Sequence, residues 1–544
     1  MRLSTTLPRV ASRSIAALLL LLFTPCLTSH VKAQNPYLPL WEYIPDGEPY
    51  VFEDPDKPGE YRVYIYGSHD SLIKEYCGRE QVVWSASVNN LSEWRYDGVI
   101  FKSVLGPDGR PLDAELKADV LYAPDVTMKV GPDGKKEYYL YPNNQAGGRN
   151  GMVAKSDRPD GPFKVINWSK TNPTRTDGVL EFDPAVFVDD DGRVYGYWGF
   201  EKSYCAEFDP ATMATVKPGT EIIKDMISGR YDDGIFSFFE ASSMRKIEDK
   251  YVFIYSRFTK DGEKGLPASN YTLAYAYSDN PMGPFTYGGT IIDGRAIATD
   301  ANGKSAPTAH PDGNTHGSIC QIKGQWYVFY HRQCGLDEYS RQAMVAPITV
   351  RVEKGKGGKV FISEGEYTSE GFMTEGLNPL HRTAAGWACY YTAPKPATHD
   401  WPNNTFFGSF IHPTRIAGGE EQTAYTLKEP ICPVINNTAG STVGFKYFNM
   451  NKLNKKQNYT LAINLTPQGV DGTVKVLLGA PSERDGASLI GTFSLNANMP
   501  QRATTIDVPL HGWQNLKGKQ ALYFVFESAT PDKSLCELYD FIIR

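Results

Sequence analysis

Five short segments of this chain share one pattern, in which aromatic and aliphatic residues alternate and the last residue is tyrosine. They are Tyr61-Arg-Val-Tyr-Ile-Tyr66, Tyr138-Tyr-Leu-Tyr141, Val194-Tyr-Gly-Tyr197, Tyr251-Val-Phe-Ile-Tyr255 and Trp326-Tyr-Val-Phe-Tyr330. The terminal tyrosines recur at intervals of 56 to 75 residues. A turn precedes each segment (residues 55–59, 131–134, 189–192, 248–250 and 323–324). Another apolar strand precedes each turn, for example Pro184-Ala-Val-Phe-Val188 or Ser318-Ile-Cys-Gln-Ile322. The pattern is a β-hairpin repeated five times. The spacing leaves room for two further strands and a loop in each unit. Four-stranded units set around an axis are the blades of a propeller, so the repeat predicts an all-β chain with a five-bladed β-propeller. A large sandwich or barrel with look-alike hairpins is the alternative. The 33 Tyr, 50 Gly and 37 Pro among 544 residues agree with aromatic strands joined by tight turns.

The same repeat carries polar groups that no propeller needs for its architecture. At the head of the strand before each hairpin turn stand Asp46, Asp125, Asp183, Glu240 and His316, between 14 and 20 residues before the terminal tyrosine. Equivalent positions of a propeller face the same end of its axis, so these side chains are expected to converge. Four carboxyls and an imidazole in one pocket repel and desolvate one another. Their pKa values are then driven apart, as acid/base chemistry requires. Taken singly, an Asp in a turn or strand cap is commonplace, and Asp125 has the most structural look of the five.

Residues 1–33 read as an export signal rather than as part of the fold. Arg2, Arg9 and Arg13 precede an apolar run from Ile15 to Phe23, Pro25 breaks it, and Val31-Lys32-Ala33 resembles a cleavage site. A lipid-anchored Cys26 is the alternative, though Thr24 and Pro25 make a poor match. No later segment is apolar for long enough to cross a membrane. Loss of residues 1–33 removes four basic residues and no acid, which takes the net charge from −6 to −10. An acidic exported protein, periplasmic or extracellular, suits a neutral partner such as a glycan and not nucleic acid. Seven scattered cysteines remain without a C-x-x-C pair, leaving room for one or two disulfides but no framework of them. The absence of H-E-x-x-H, of Gly-rich phosphate loops and of G-x-S-x-G disfavours zinc hydrolysis, phosphoryl transfer and serine esterase chemistry.

Paired carboxyls among aromatic residues, with no nucleophilic Ser or Cys motif, fit glycoside hydrolysis. That reaction needs one acid to protonate the leaving oxygen and one carboxylate to activate water or attack. Glu240 follows Phe236-Ser-Phe-Phe239, and apolar neighbours raise a carboxyl pKa, so Glu240 suits the acid. Asp46 lies in the polar turn Ile44-Pro-Asp-Gly-Glu48 and suits the base. Asp183 is placed to raise the pKa of the acid by like-charge repulsion.

At these residues the chain resembles glycoside hydrolase family 43, five-bladed propellers that cleave arabinofuranosides and xylosides with inversion. The similarity runs from about Asn35 to about Gly371. It rests on Tyr43-Ile-Pro-Asp-Gly-Glu-Pro-Tyr-Val-Phe52, Leu121-Tyr-Ala-Pro-Asp125, Phe182-Asp-Pro-Ala-Val-Phe-Val-Asp-Asp-Asp-Gly192, Phe239-Glu-Ala-Ser-Ser243 and Asn314-Thr-His-Gly-Ser318. Ser340-Arg-Gln342 adds a last piece. The resemblance implies Asp46 as general base, Asp183 as pKa modulator and Glu240 as general acid. It implies His316 as an axial histidine near a central metal ion or its waters, and Arg341 as a basic residue beside the sugar. Asp125 is the alternative to Asp183 as modulator; the Asp-Pro followed by Asp-Asp-Asp-Gly matches the modulator blade and favours Asp183, which leaves Asp125 as a substrate-binding candidate. One departure stands out: the family reads Asp-Pro at the base, whereas here Asp46-Gly47 is followed by Glu48-Pro49. Gap-free matching selects Asp46; keeping the acid-Pro pair selects Glu48. No cofactor is implied beyond a structural calcium on the axis.

The hairpin register ends after Val360-Phe-Ile-Ser363. The expected organisation is a signal segment 1–33, a catalytic propeller 34–372, a linker 373–385 and a β-sandwich 386–544. Short strand-like segments such as Thr442-Val-Gly-Phe-Lys-Tyr-Phe448 and Ala521-Leu-Tyr-Phe-Val-Phe526 support the sandwich. It resembles a carbohydrate-binding module of family 6, or else serves as a cap on the propeller. The expected activity is an exo-glycosidase on plant-type polysaccharide, α-L-arabinofuranosidase before β-D-xylosidase. A non-catalytic glycan-binding propeller and a calcium-binding scaffold are the competing functions. Trp84 and Phe200 are candidate sugar-stacking aromatics, with core packing as their other use.

Overall fold

A computed structural model describes residues 34–72, 75–103, 106, 119–144, 151–172, 174–300, 302–334, 338–394, 410–411 and 432–544. The export signal and Cys26 fall outside the described residues. Among those described, the chain is all-β, with single 3-10 turns and no α-helix, and no helix is long and apolar enough to cross a membrane.

The repeat becomes a run of antiparallel sheets. The first has the order β1 (Glu48–Glu53), β2 (Tyr61–Tyr66), β3 (Glu80–Ser87), β4 (Asn90–Lys102). The second is β5 (Tyr122–Val130), β6 (Lys136–Asn143), β7 (Ala154–Ser156), β8 (Lys164–Val165). The third pairs β9 (Ala185–Val188), β10 (Val194–Trp198), β11 (Tyr204–Phe208) and β12 (Ile223–Lys224). The fourth is β13 (Phe238–Ile247), β14 (Lys250–Arg257), β15 (Thr272–Ser278), β16 (Thr286–Asp293). After a small hairpin, β17 (Ile297–Thr299) and β18 (Ser305–Pro307), comes a three-stranded sheet of β19 (Ser318–Ile322), β20 (Gln325–Arg332) and β21 (Gln342–Ile348). None of these sheets closes on itself.

Their first strands are neighbours in succession: β1 touches β5, β5 touches β9, β9 touches β13, and β19 touches β14 and β1. A parallel bridge between Gly47 and Gly317 joins the first sheet to the fifth. The alternation seen in the sequence explains why. Strand residues point alternately to the two faces, and here both faces are covered. In β2, Val63 and Ile65 enter a core shared with Phe329 and Val345 of the fifth sheet, whereas Tyr64 and Tyr66 enter one shared with Val126 and Tyr138 of the second. In β10, Tyr195 and Tyr197 pack with Phe253 and Tyr255 of the fourth sheet, and Val194 and Trp198 with Tyr139 and Tyr141 of the second. The aromatic excess is thus inter-sheet core. Truncating one such ring, Phe253→Ala, is expected to cost about 3–5 kcal/mol.

The C-terminal part forms a six-stranded and a five-stranded sheet. The two meet face to face, with the rings of Phe445 in one and Phe541 in the other 4.9 Å apart. Their core is continuous with that of the fourth and fifth sheets through Tyr330, Tyr367 and Leu377. Arg332, fully buried, donates from Nη1 to Ala388 O at 2.7 Å, and Leu377 within residues 373–385 bridges to Phe448. No disulfide joins the described cysteines.

Candidate active site

The heads of the first strands open on one cavity. Its walls include Asp46, Asp183, Glu240, His316 and Arg341, together with Tyr76, Tyr122, Phe182 and Asn314, and the empty volume is about 510 Å³. Four of the five repeat-borne polar groups meet there, and Arg341 joins them. Asp125 does not line it. Its carboxylate accepts from Tyr50 Oη at 2.7 Å and from Val186 N at 2.7 Å, one layer deeper, and Ala123 takes its place on the wall. Counting residues back from a terminal tyrosine fixes the strand but not the depth along it. Trp84 is core, its Nε1 donating to Glu42 Oε2 at 2.8 Å, whereas Phe200 is 45% exposed.

Asp46 sits at the tight turn into β1 with φ of 60°, a left-handed conformation that Asp tolerates better than most residues. Ser68 Oγ donates to its Oδ2 at 2.5 Å. Arg341 Nη1 donates to Oδ1 at 3.0 Å and Oδ2 at 3.2 Å. The rest of that guanidinium is held by Asp70, through Nε at 2.9 Å and Nη2 at 2.8 Å. The Asp46 backbone N–H donates to His331 Nδ1 at 3.2 Å, and His331 Nε2 faces Asn314 O at 2.9 Å. Burial pushes the His331 imidazole down to about 4, so it is neutral and its Nδ1 is free to accept. Burial alone would raise the Asp46 carboxyl; Arg341, then the charged His316 and the Ser68 hydroxyl, outweigh it and hold Asp46 below its ordinary value. Asp46 is the carboxyl of the cavity wall that is held below its ordinary value.

Glu240 is the opposite case. Burial first, then the charge of Asp183, drive its carboxyl well above the ordinary glutamate value. Asp183, also in left-handed backbone with φ of 43°, accepts from Asn143 Nδ2 at 3.1 Å and from the Ala241 N–H at 3.2 Å. It is thereby fixed to the residue that follows Glu240. Burial raises Asp183 to about 6, with Asp46 adding to the rise and His316 opposing it.

His316 stands between two layers. Its Nδ1 is 3.7 Å from Asp183 Oδ2 and its Nε2 3.8 Å from Glu48 Oε1. Burial disfavours its charge, but Glu48 and the aspartates outweigh that and raise it to about 9. Glu48 is 1% exposed and does not line the cavity. Arg245 Nη2 donates to its Oε2 at 2.7 Å, while Nε donates to Ile319 O at 3.1 Å and the guanidinium lies 4.5 Å from the centre of the Tyr50 ring. Burial would raise Glu48, and Arg245 reverses this and lowers it.

This donor set does not fit the axial calcium that the sequence suggested. Calcium takes six to eight oxygen ligands. Here His316 Nε2 and Glu48 Oε1 are both buried without a hydrogen-bond partner, but they make only two donors, one of them nitrogen, and a guanidinium already supplies positive charge beside Glu48. Among the described residues no group of three or more His, Cys, Asp or Glu is arranged to hold a metal.

Ser68, Asp70, Asn143, His331 and Arg245 were not singled out from the sequence. A signal for three of them existed: Ser68, Asn143 and His331 lie one or two residues past the terminal tyrosines Tyr66, Tyr141 and Tyr330. In these three hairpins the strand after the turn leads to a residue that holds Asp46 or Asp183 from behind the cavity wall.

The family model described as glycosyl hydrolases family 43 matches residues 51–354. A xylosidase/arabinosidase of Thermoclostridium stercorarium is 35% identical over 451 residues, covering 76% of this chain and 82% of its own. An arabinoxylan arabinofuranohydrolase of Paenibacillus polymyxa is 30% identical over 323 residues, 56% of this chain and 46% of its own, so the match spans less than half of that relative. Among solved structures, a family 43 arabinoxylan arabinofuranohydrolase from Bacillus subtilis in complex with cellotetraose is 21% identical, covering 92% of this chain and 96% of that one at a TM-score of 0.43.

Proposed function

The chain belongs to glycosyl hydrolases family 43 and is a glycoside hydrolase, and on that premise we propose that it is an exported, inverting exo-enzyme removing terminal pentoses from plant-type polysaccharides or their oligosaccharides. α-L-Arabinofuranosides are the preferred substrates and β-D-xylosides the next. The names of the two relatives, which couple xylose and arabinose, support a pentose substrate. The five sheets, with first strands in cyclic succession, support a five-bladed propeller; the two face-to-face C-terminal sheets support a β-sandwich of the carbohydrate-binding-module kind fixed onto it.

One observation carries the mechanism: Asp46 and Glu240 line the same cavity with their pKa values displaced in opposite directions. Glu240, protonated, gives its proton to the glycosidic oxygen as that bond breaks. Asp46, ionised, takes a proton from water as the water oxygen bonds to the anomeric carbon from the opposite face. The products are the free pentose with inverted configuration and the leaving alcohol. Asp183 keeps Glu240 protonated and anchors it through Ala241. Arg341 keeps Asp46 ionised and oriented. Glu48 is set aside as base because it lies off the cavity and Arg245 neutralises it. Its nearness to His316 makes it a charge partner instead.

The test is sugar release from aryl α-L-arabinofuranoside and aryl β-D-xyloside by wild type and Glu240→Ala, with the first-formed anomer followed by NMR. Release by wild type, its loss in the variant and an inverted product are expected. No release from either glycoside, or a retained anomer, refutes the assignment.

A further inference from the structure

Arg332 is fully buried, and the oxygens it donates to are neutral. Its Nε and Nη2 donate to Gln342 Oε1 at 3.0 and 2.8 Å, its Nη1 donates to Ala388 O at 2.7 Å, and Nη2 also donates to Gly386 O. Gly386 and Ala388 belong to the short turn by which the chain passes from one C-terminal sheet to the other, since Thr383 before it pairs with Phe541 and Tyr391 after it pairs with Val443. A well-packed hydrophobe is often at least as stabilising as a buried charge, so cohesion alone does not call for an arginine here.

Its placement does. Successive strand residues point to opposite faces. At the end of β20, His331 accepts from the Asp46 N–H on one side, and Arg332 reaches the C-terminal turn on the other. Across the pair, Arg341 donates to Asp46, and its neighbour Gln342, in register with Arg332, donates from Nε2 to Leu40 O at 2.7 Å. Leu40 begins the segment that ends at Asp46, and Cys432 Sγ meets the same carbonyl at 3.4 Å. Gly386 leaves room for this contact: a Cβ there would lie 2.8 Å from Leu40 Cδ1 and 3.0 Å from Cys432 Cβ. A second route runs beside the first. The Tyr391 N–H donates to Thr308 O at 2.6 Å, on the segment leading to Asn314, whose carbonyl faces His331 Nε2 at 2.9 Å.

We infer that Arg332 and Gln342 are positioning residues through which the C-terminal sheets hold the Asp46 end of the cavity. The two carbonyls of the turn fix Arg332, Arg332 fixes Gln342, and Gln342 fixes Leu40. The strand ends that carry His331 and Arg341 and the segment that carries Asp46 thus share one anchor. The inference deepens the function given above and rests on Asp46 being the base. It makes the C-terminal part a member of the catalytic unit, not an appendage that only delivers that unit to a glycan.

The test uses the full chain carrying Arg332→Lys or Gln342→Met, both of which keep the net charge. A lysine cannot serve Gln342 and two carbonyls at once, and methionine keeps the volume but offers Leu40 O no donor. Gln342→Met leaves Arg332 its two carbonyls and serves where Arg332→Lys does not fold. The control is Val474→Ala, in the C-terminal core on Gly472–Leu478, a strand that pairs with neither flank of the turn. Hydrogen exchange of the Asp46 amide, read from a peptide over residues 41–48, is compared at a temperature well below every melt. It is expected to quicken by about fivefold or more in the two variants and to stay within about twofold of the parent in the control. On the aryl glycoside kcat should fall by about tenfold or more in the two variants, with the acid limb of kcat/KM moved upward because Arg341 no longer holds Asp46 in place; the control should move neither. Unchanged exchange in the variants, or an equal rise in the control, refutes the coupling and leaves the function to its own test. Faster exchange with no pentose released by the wild type, or with an acid limb that stays in an active chain, upholds the coupling and refutes the role given to Asp46.

Discussion

Arg341 and Arg245 serve the two candidate bases, Asp46 and Glu48, and replacing each in turn shows which carboxylate must be ionised for catalysis. Arg341 reaches Asp46 with Nη1 at 3.0 Å, and Asp70 with Nε and Nη2; Arg245 reaches Glu48 at 2.7 Å. Arg341→Met leaves Asp46 and Asp70 buried without their shared partner, and Arg245→Met does the same to Glu48. Breaking one side of a buried ion pair costs about 3–5 kcal/mol, so urea unfolding near neutral pH is expected to report a loss of that size for both variants. Stability therefore does not tell them apart. The pH profile does. In the wild type, burial pushes the Asp46 carboxyl up and Arg341 is the strongest of the groups that pull it back below its ordinary value. Without Arg341 burial wins, Asp46 keeps its proton to higher pH, and the acid limb of kcat/KM moves upward. Arg341 also lowers Glu240, though as the smallest cause, so the alkaline limb is expected to move upward by less. The plateau should drop by about 100-fold, because Asp46 loses the contact that aims it at the water. Arg341→Lys should fall between, since an ammonium cannot hold Asp46 and Asp70 at once. The assay is kcat/KM on the aryl glycoside from about pH 4 to about pH 9. An acid limb that moves in Arg245→Met and stays in Arg341→Met would make Glu48 the base. A limb that moves in neither would remove Arg341 as the group that keeps the base ionised.

Glu240→Gln is expected to lower kcat by about 10²–10⁴, most on poor leaving groups. It should also stabilise the protein at alkaline pH: the folded carboxyl holds its proton after the unfolded one has lost it, so the wild type weakens as pH rises and the Gln variant does not. Melting curves of the two that stay parallel across pH would contradict this. Asp125→Asn should keep activity within a fewfold, since an amide can still accept from Val186 N and donate to Tyr50 Oη. Burial and then Glu48 raise the Asp125 carboxyl to about 7 from 3.8, so the stability gained by the Asn variant should grow as pH rises through that window, reaching on the order of 2–4 kcal/mol above it. Loss of hydrolysis in this variant would return Asp125 to the substrate. Chelation with EDTA and addition of calcium are expected to leave melting temperature and rate unchanged, and a calcium-dependent rise in either would show that His316 and Glu48 hold a cation despite Arg245.

The sequence disclosed strands and faces better than it disclosed depth. Tyr64 and Val63 go to opposite cores because successive strand residues must, and that is legible in any alternating segment. The meeting of Asp46, Asp183, Glu240 and His316 was legible for the same reason, since repeated hairpins bring equivalent strand ends together. Asp125 failed the same logic because two residues along a strand keep the face but move a side chain by roughly 7 Å, from the cavity wall into the layer of Tyr50 and Val186. Arg245 was invisible for another reason. In a strand reading Met244-Arg-Lys246 an arginine looks like a solvated face, and only the tertiary structure places its guanidinium against Glu48, Tyr50 and Ile319.

The two layers also explain the departure at the proposed base. A single ring of four carboxyls would be raised together by burial and mutual repulsion, and no member would remain a base near neutral pH. Here the acids are divided by depth and each level has its own cation, Arg341 above for Asp46 and Arg245 below for Glu48, with His316 between Glu48 and Asp183. Burial keeps Asp183 and Glu240 raised. The turn at Asp46-Gly47 follows from the same division. Glu48, the first residue of β1, pairs with Tyr66 and turns inward to Arg245, so the carboxyl that faces the cavity must come from before the strand. The left-handed backbone at Asp46, followed by Gly47 where the first sheet bridges the fifth at Gly317, puts it there.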